Sequence, residues 1–183
     1  LHERAVQAAV DARNAHGSGR IAGSMGPLIA TYRADVTLPV AEAAPKYAEI
    51  AAIIGPSVDM ILCETMASVT QAEGAIKGAQ AAGKPVWLSV TVDDRDGTKL
   101  RSGEAVADLA RLVEAYHPAA ILVNCSVPEA MAAAMAVVAG FGVPFGAYAN
   151  GFTHISDGFL EDAPTVAALT HRHDLTPEKY VGF

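Results

Sequence analysis

The sequence predicts an α/β fold built on a parallel sheet, and three observations carry that expectation. Strand-like and helix-like segments alternate along most of the 183 residues. The strand segments are almost continuously apolar instead of alternating, as in "DMILCET", "PVWLSVT" and "AAILVNCS", which is the pattern of a sheet covered on both faces. The connections are of helix length, as parallel pairing requires.

From Leu1 the order begins with a helix over about residues 2–15, then the strand "RIAGSMGP", then a helix from Leu38 to Ile54. The strand "DMILCET" follows. Ser68 opens the helix "SVTQAEGAIKGAQAAG", with Gln71 at capping-box spacing and Gly83 as its stop before Pro85. "PVWLSVT" is the next strand, and "DDRDGTKLRSGE" a polar turn in which Asp96 and Gly97 read as a plain reversal. Ser102 is placed as the cap of the helix "EAVADLARLVEAY". After the strand "AAILVNCS", Ser126 and Glu129 repeat the capping-box spacing for an Ala- and Met-rich helix ending at Gly140. The last strand is "VPFGAYAN", and an irregular tail closes the chain. Five strands with no Gly-rich dinucleotide fingerprint after the first leave two arrangements open, a doubly wound sheet or part of a (β/α)8 barrel.

Composition narrows the function classes. With 51% apolar residues a chain of this length buries a single-domain core. Thirteen basic against twenty acidic residues give a net charge of −7, with no basic cluster interleaved with aromatics, so nucleic acid is not an expected partner. No apolar run reaches the roughly 20 residues of a membrane span, and the opening "LHERAVQAAVDARNAHG" is charged and helical, unlike a signal peptide. The expectation is a soluble cytoplasmic protein without a membrane partner. Two cysteines, Cys63 and Cys125, are too few for a disulfide framework.

Both sheet arrangements gather ligands beyond the carboxyl ends of their strands. Those ends carry Ser24 with Gly26 and Pro27, Glu64 with Thr65, Ser89 with Thr91 and Asp93, Asn124 with Cys125, and Tyr148 with Asn150. Side chains alternate along a strand, so if Glu64 faces this basin then Cys63 faces the helices and packs as a small hydrophobe. A carboxylate at the end of a buried strand needs a partner. A backbone amide or a cation of the protein is one such partner, and a substrate amino group is another. Cys125 lies just ahead of a helix N-terminus, whose dipole favours thiolate, the form that attacks electrophiles and binds zinc. Plain packing is its alternative. Zinc asks for several nitrogen and sulfur donors, and neither CxxC nor HExxH is present. His154, His171 and His173 lie in polar loops and read as solvated. Asn150 with Gly151 reads equally as a tight turn or a ligand contact.

Lined up at these strand ends, "AGSMGP", "VDMILCETMASVTQAE", "VTVDDRDGTKLRSGE", "ILVNCSVPE" and "GAYANG" resemble, in order, the homocysteine S-methyltransferase family. The resemblance spans nearly the whole chain, with "ILCETM" and "VNCS" its most specific parts. It implies a (β/α)8 barrel in which Cys125 is one of three zinc thiolates and Glu64 helps hold the amino group of homocysteine. Glu64, Thr65, Asn124 and Asn150 are then the expected substrate-binding residues, and no general acid or base is singled out. The implied reaction is zinc-dependent transfer of a methyl group from a sulfonium or ammonium donor, such as S-methylmethionine or S-adenosylmethionine, to the homocysteine thiol, giving methionine. Donor choice falls to the loops "MGPLIATYRAD" and "NGFTHISDGFLEDAPT", with Asp157, Glu161 and Asp162 in the second. Members of the family also carry an early Gly-rich strand with an acidic residue, a second strand, and a Gly-Gly-Cys-Cys segment supplying the other two thiolates. None of these occurs here. The expectation is therefore one domain over residues 1–183, incomplete at both ends, with five of eight strands, two unpaired sheet edges, and zinc absent or weakly held. Whether it forms a homo-oligomer is left open. A non-catalytic relative that binds a small amino acid without zinc is the rival reading. A Schiff-base lyase or aldolase is disfavoured, since no lysine lies at a strand end.

Overall fold

The computed structural model describes residues 1–155, 160 and 169–183. Among these described residues six α-helices and five strands run in the order α1 (His2–His16), β1 (Ala22–Met25), α2 (Val40–Ile54), β2 (Met60–Met66), α3 (Val69–Ala79), β3 (Val86–Val90), α4 (Ala110–Tyr116), β4 (Ala120–Asn124), α5 (Pro128–Val138), β5 (Phe145–Tyr148) and α6 (Pro177–Tyr180). The strands pair in parallel in the order β1-β2-β3-β4-β5, as the α/β alternation predicts. Each strand lies beside its predecessor, so the order never reverses and lacks the switch point of a doubly wound sheet. Among the described strands β1 and β5 each have one neighbour. No described helix is long and apolar enough to cross a membrane.

Alternation along the strands gives the sheet two chemically distinct faces. Ile61, Cys63, Leu88, Val90, Ile121 and Val123 are buried completely on the face covered by α2, α3 and α5. The other face carries Ser24, Glu64, Ser89, Asn124 and Tyr148 toward its carboxyl end. The Tyr148 hydroxyl in β5 donates to Glu64 Oε1 in β2 at 2.9 Å, although β3 and β4 lie between them. On a flat sheet three strand spacings of about 4.8 Å would hold β2 and β5 about 14 Å apart. The sheet is therefore curled, with this polar face on the concave side.

Two helix starts differ from the sequence expectation, for the same reason. Ser102 does not cap a helix beginning at Glu104. The segment folds instead as a narrow ribbon, with Val92 bridged to Leu100 and Lys99 to Ala105, and a 3-10 turn over Val106–Leu109 precedes α4. Glu104 is drawn away to the start of α3, where its Oε2 accepts the N–H of Val69 at 2.9 Å and the Ser102 hydroxyl at 2.6 Å. Ser68 caps α3 as expected, accepting from the Gln71 N–H, but the Gln71 side chain accepts from Ala67, one residue short of the reciprocal capping-box bond. At α5 the cap position is Val127, not Ser126. Ser126 is fully buried, so its hydroxyl is committed to the N–H and C=O of Val92 at 2.9 and 3.0 Å, and Asp94 Oδ1 accepts the Val127 N–H at 3.1 Å. Glu129 pairs with Arg172 instead of reaching back to the cap.

The Asp96 and Gly97 turn does more than reverse the chain. A Cβ on Gly97 would run into the carbonyl oxygen of Ala130 in α5, so this turn seats the helix that follows β4. Gly97→Ala is expected to destabilise the protein by about 1–3 kcal/mol, the usual cost of overpacking against atoms that cannot retreat. Urea denaturation should show a lowered midpoint at constant slope. A midpoint equal to that of the parent protein would mean that the turn moves aside freely.

Candidate functional site at the carboxyl ends of the strands

The site begins with an irregularity in β2. The register against β3 shifts between Cys63 and Met66, and Thr65 sits at φ 63°, rare for a β-branched residue. Strict alternation would send Thr65 to the helix side, opposite Glu64. The bulge turns both toward the concave face, while Cys63 stays on the helix face, fully buried, with its thiol pushed up to about 12 by desolvation.

A continuous hydrogen-bonded chain then links the strand ends. Ser24 donates to Glu64 Oε2 at 2.6 Å and Tyr148 to Glu64 Oε1 at 2.9 Å. Tyr148 also lies 3.2 Å from Ser89 Oγ, which donates to Asn124 Oδ1 at 2.8 Å. The Asn124 amide in turn donates to Thr65 Oγ1 at 2.7 Å and to the Cys125 sulfur at 3.0 Å. Burial, reinforced by the Glu64 carboxylate, raises the Tyr148 phenol well above its ordinary value and keeps it a donor. Both donors to Glu64 are thus neutral hydroxyls, and no ion pair among the described residues reaches this half-buried carboxylate.

Cys125 faces the same basin. Its backbone is left-handed at φ 54°, which keeps its side chain on the side of Asn124 instead of the opposite one. Thr65 Oγ1 lies 3.7 Å from the sulfur, and the phenol of Tyr32 hydrogen-bonds it. Tyr32 is itself left-handed at φ 65°, and its phenol is raised by burial and by the neighbouring thiol. Three of the four non-glycine residues with positive φ among the described residues therefore meet at one sulfur; the fourth, His117, ends α4.

Glu64, Thr65, Asn124 and Cys125 are brought together as the strand-end rule anticipates. Asn150 is placed differently: its amide donates to the Cys125 carbonyl at 3.1 Å and its Oδ1 accepts the Phe152 N–H at 3.1 Å, so both ends are spent on backbone. His171 packs tilted against Phe152 at 4.9 Å, and His154 and His173 are exposed. Asp157, Glu161 and Asp162 lie outside the described residues. Tyr32, Asp94 and Arg101 join the site as well; they stand in "MGPLIATYRAD" and "VTVDDRDGTKLRSGE", segments that the sequence marks without singling these residues out.

On the concave face the described residues offer a metal one thiol, that of Cys125. No group of three or more His, Cys, Asp or Glu among them stands together as a ligand set, whereas an open zinc centre takes three protein ligands, so these residues alone do not complete one.

A carboxylate, amides, hydroxyls and a thiol converge at the carboxyl ends of an unreversed parallel α/β sheet, the place where such sheets bind small molecules. The chain belongs to the homocysteine S-methyltransferase family, which it matches over residues 1–182. No curated protein sequence matches it. Among solved structures it is similar to the homocysteine methyltransferase MmuM of Escherichia coli. The metallated form has 24% identity and a TM-score of 0.71 over 81% of this chain and 57% of that one. The oxidized form gives 25% and 0.69 over 81% and 56%, and the apo form 24% and 0.61 over 80% and 55%. The chain thus spans little more than half the length of the structures it matches.

Proposed function

We propose that these residues form an arc of a (β/α)8 barrel and that the protein transfers a methyl group from a sulfonium or ammonium donor to the thiol of homocysteine, giving methionine. The unreversed strand order and the curl of the sheet support the barrel. The observation that carries the function is Glu64, a carboxylate held by two hydroxyls and, among the described residues, by no cation, set on the same concave face as the Cys125 sulfur. An amino acid placed with its ammonium on Glu64 supplies the missing charge and directs its side-chain sulfur along the face toward Cys125. Ser24 and Tyr148 fix the Glu64 carboxylate, and Thr65 and Asn124 line the path between the two ends.

In the reaction the homocysteine sulfur, having lost its proton, displaces a neutral leaving group from the methyl carbon in line, so one C–S bond forms as the donor's C–S or C–N bond breaks. What these residues contribute is orientation, which holds the sulfur in a near-attack position. Zinc enters the reading through Cys125, as one thiolate of a set completed elsewhere in the protein. A cytoplasmic setting belongs to the same reading. The test is to incubate the full protein with homocysteine and either S-methylmethionine or S-adenosylmethionine and to assay methionine. Turnover with one donor is the expected result, and no methionine from either would overturn the assignment.

A further inference from the structure

The left-handed backbone that turns the Cys125 sulfur into the site is a conformation rarely adopted without restraint from its surroundings. The restraint acts on both sides of the residue: the carbonyl oxygen takes Arg101 Nη2 at 3.3 Å, Asn150 Nδ2 at 3.1 Å and Thr91 Oγ1 at 3.4 Å, and the N–H is held on the Tyr148 carbonyl at 3.1 Å. Arg101 also governs the third of these donors, since its Nε donates to Thr91 Oγ1 at 2.9 Å. Its guanidinium is gripped by both oxygens of Asp94, at 3.0 and 3.3 Å, with side chains only 12% and 11% exposed. Asp94 is anchored in turn by the backbone N–H groups of Val127 and Ile155, at 3.1 and 3.2 Å. The ring of Tyr32, whose phenol meets the Cys125 thiol, lies 5.1 Å from the same guanidinium. Arg101 therefore borders both ends of Cys125, the carbonyl directly and the sulfur through Tyr32.

The structure assigns to Asp94 and Arg101 the role of positioning residues: the carboxylate fixes the guanidinium, which holds the Cys125 carbonyl so that its sulfur faces the site. This rests on the proposed part of Cys125 in methyl transfer. An elaborate partly buried fork is a costly way to stabilise a loop, because desolvation offsets much of an ion pair's attraction. A planar fork that spans a carboxylate, a hydroxyl and a carbonyl gains its value from geometry, which lysine cannot supply.

The test uses the full protein labelled with 13C-cysteine, since 13Cα shifts report backbone φ and ψ, with the Cys125 resonance assigned by its loss in Cys125→Ser. Arg101→Lys keeps the charge without the fork. Asp94→Asn combined with Arg101→Met removes both charges and leaves no lone buried ion. In each, the Cys125 resonance is expected to shift or split while that of Cys63 stays in place. Methyl transfer should lose roughly tenfold or more in kcat with the KM for homocysteine held within about twofold, the mark of a misplaced reacting group. A Cys125 resonance unmoved in Arg101→Lys and in the double variant overturns the assignment, as does a moved resonance with kcat unchanged. If the double variant fails to fold, Arg101→Lys decides alone. A parent protein that neither binds nor methylates homocysteine sinks the functional reading, while the resonance test still decides whether Arg101 and Asp94 hold Cys125.

Discussion

On the proposed reading of Cys125 as a zinc thiolate, replacing it with serine is expected to lower methyl transfer by the full protein by ~10- to 100-fold or more and to lower its zinc content. Loss of residues that merely orient metal ligands already costs 10- to 100-fold, so the loss of a ligand should cost no less. A serine hydroxyl keeps its proton at neutral pH and is a harder donor than thiolate, so it does not replace the sulfur. The fold should tolerate the change, because the side chain is only partly buried and its neighbours Asn124, Thr65 and Tyr32 bond a hydroxyl as readily. Metal content measured on parent and variant reads the site independently of activity. Unaltered zinc stoichiometry and affinity in Cys125→Ser would refute the metal role.

The second large effect is expected at Glu64. Glu64→Gln keeps an oxygen acceptor for Ser24 or Tyr148 but removes the charge that an ammonium group would meet. A hydrogen bond to a charged group contributes about 1.5–3 kcal/mol, which converts to a loss of roughly 10- to 150-fold in homocysteine affinity. Because the ammonium does not change during methyl transfer, the loss should fall on KM with kcat nearly constant. Calorimetric titration of homocysteine into parent and variant checks this directly. Equal affinities would show that Glu64 serves the scaffold and that the amino group is held elsewhere.

The sequence made the sheet legible because burial on the helix face writes an apolar strand and each strand end stands out against it. Opposite faces for Cys63 and Glu64 follow from simple alternation, and the structure agrees. Thr65 breaks that alternation through a bulge, which no local pattern announces, since Thr in a strand looks ordinary. The caps were hidden for another reason. Val69 and Val127 donate to Glu104 and Asp94, acceptors 35 and 33 residues away in the chain, whereas capping rules search only within a turn. Asn150 looked as much like a ligand contact as a turn, but its amide closes on the Cys125 carbonyl, a contact made across strands. Arg101 and Tyr32 stand in segments the sequence marks, but their contacts with Cys125 are likewise made across the chain and leave no local pattern.

The two thiols point to opposite sides of one sheet, so they cannot join to each other without its disruption, and they differ sharply in chemical access. A maleimide dye added to the folded, metal-free protein should tag position 125 and leave 63 dark, since that sulfur is sealed beneath the helices. Label reaches 63 only when the core opens. Uptake at the silent cysteine is thus a built-in clock for unfolding, read against the prompt signal of its neighbour across the sheet.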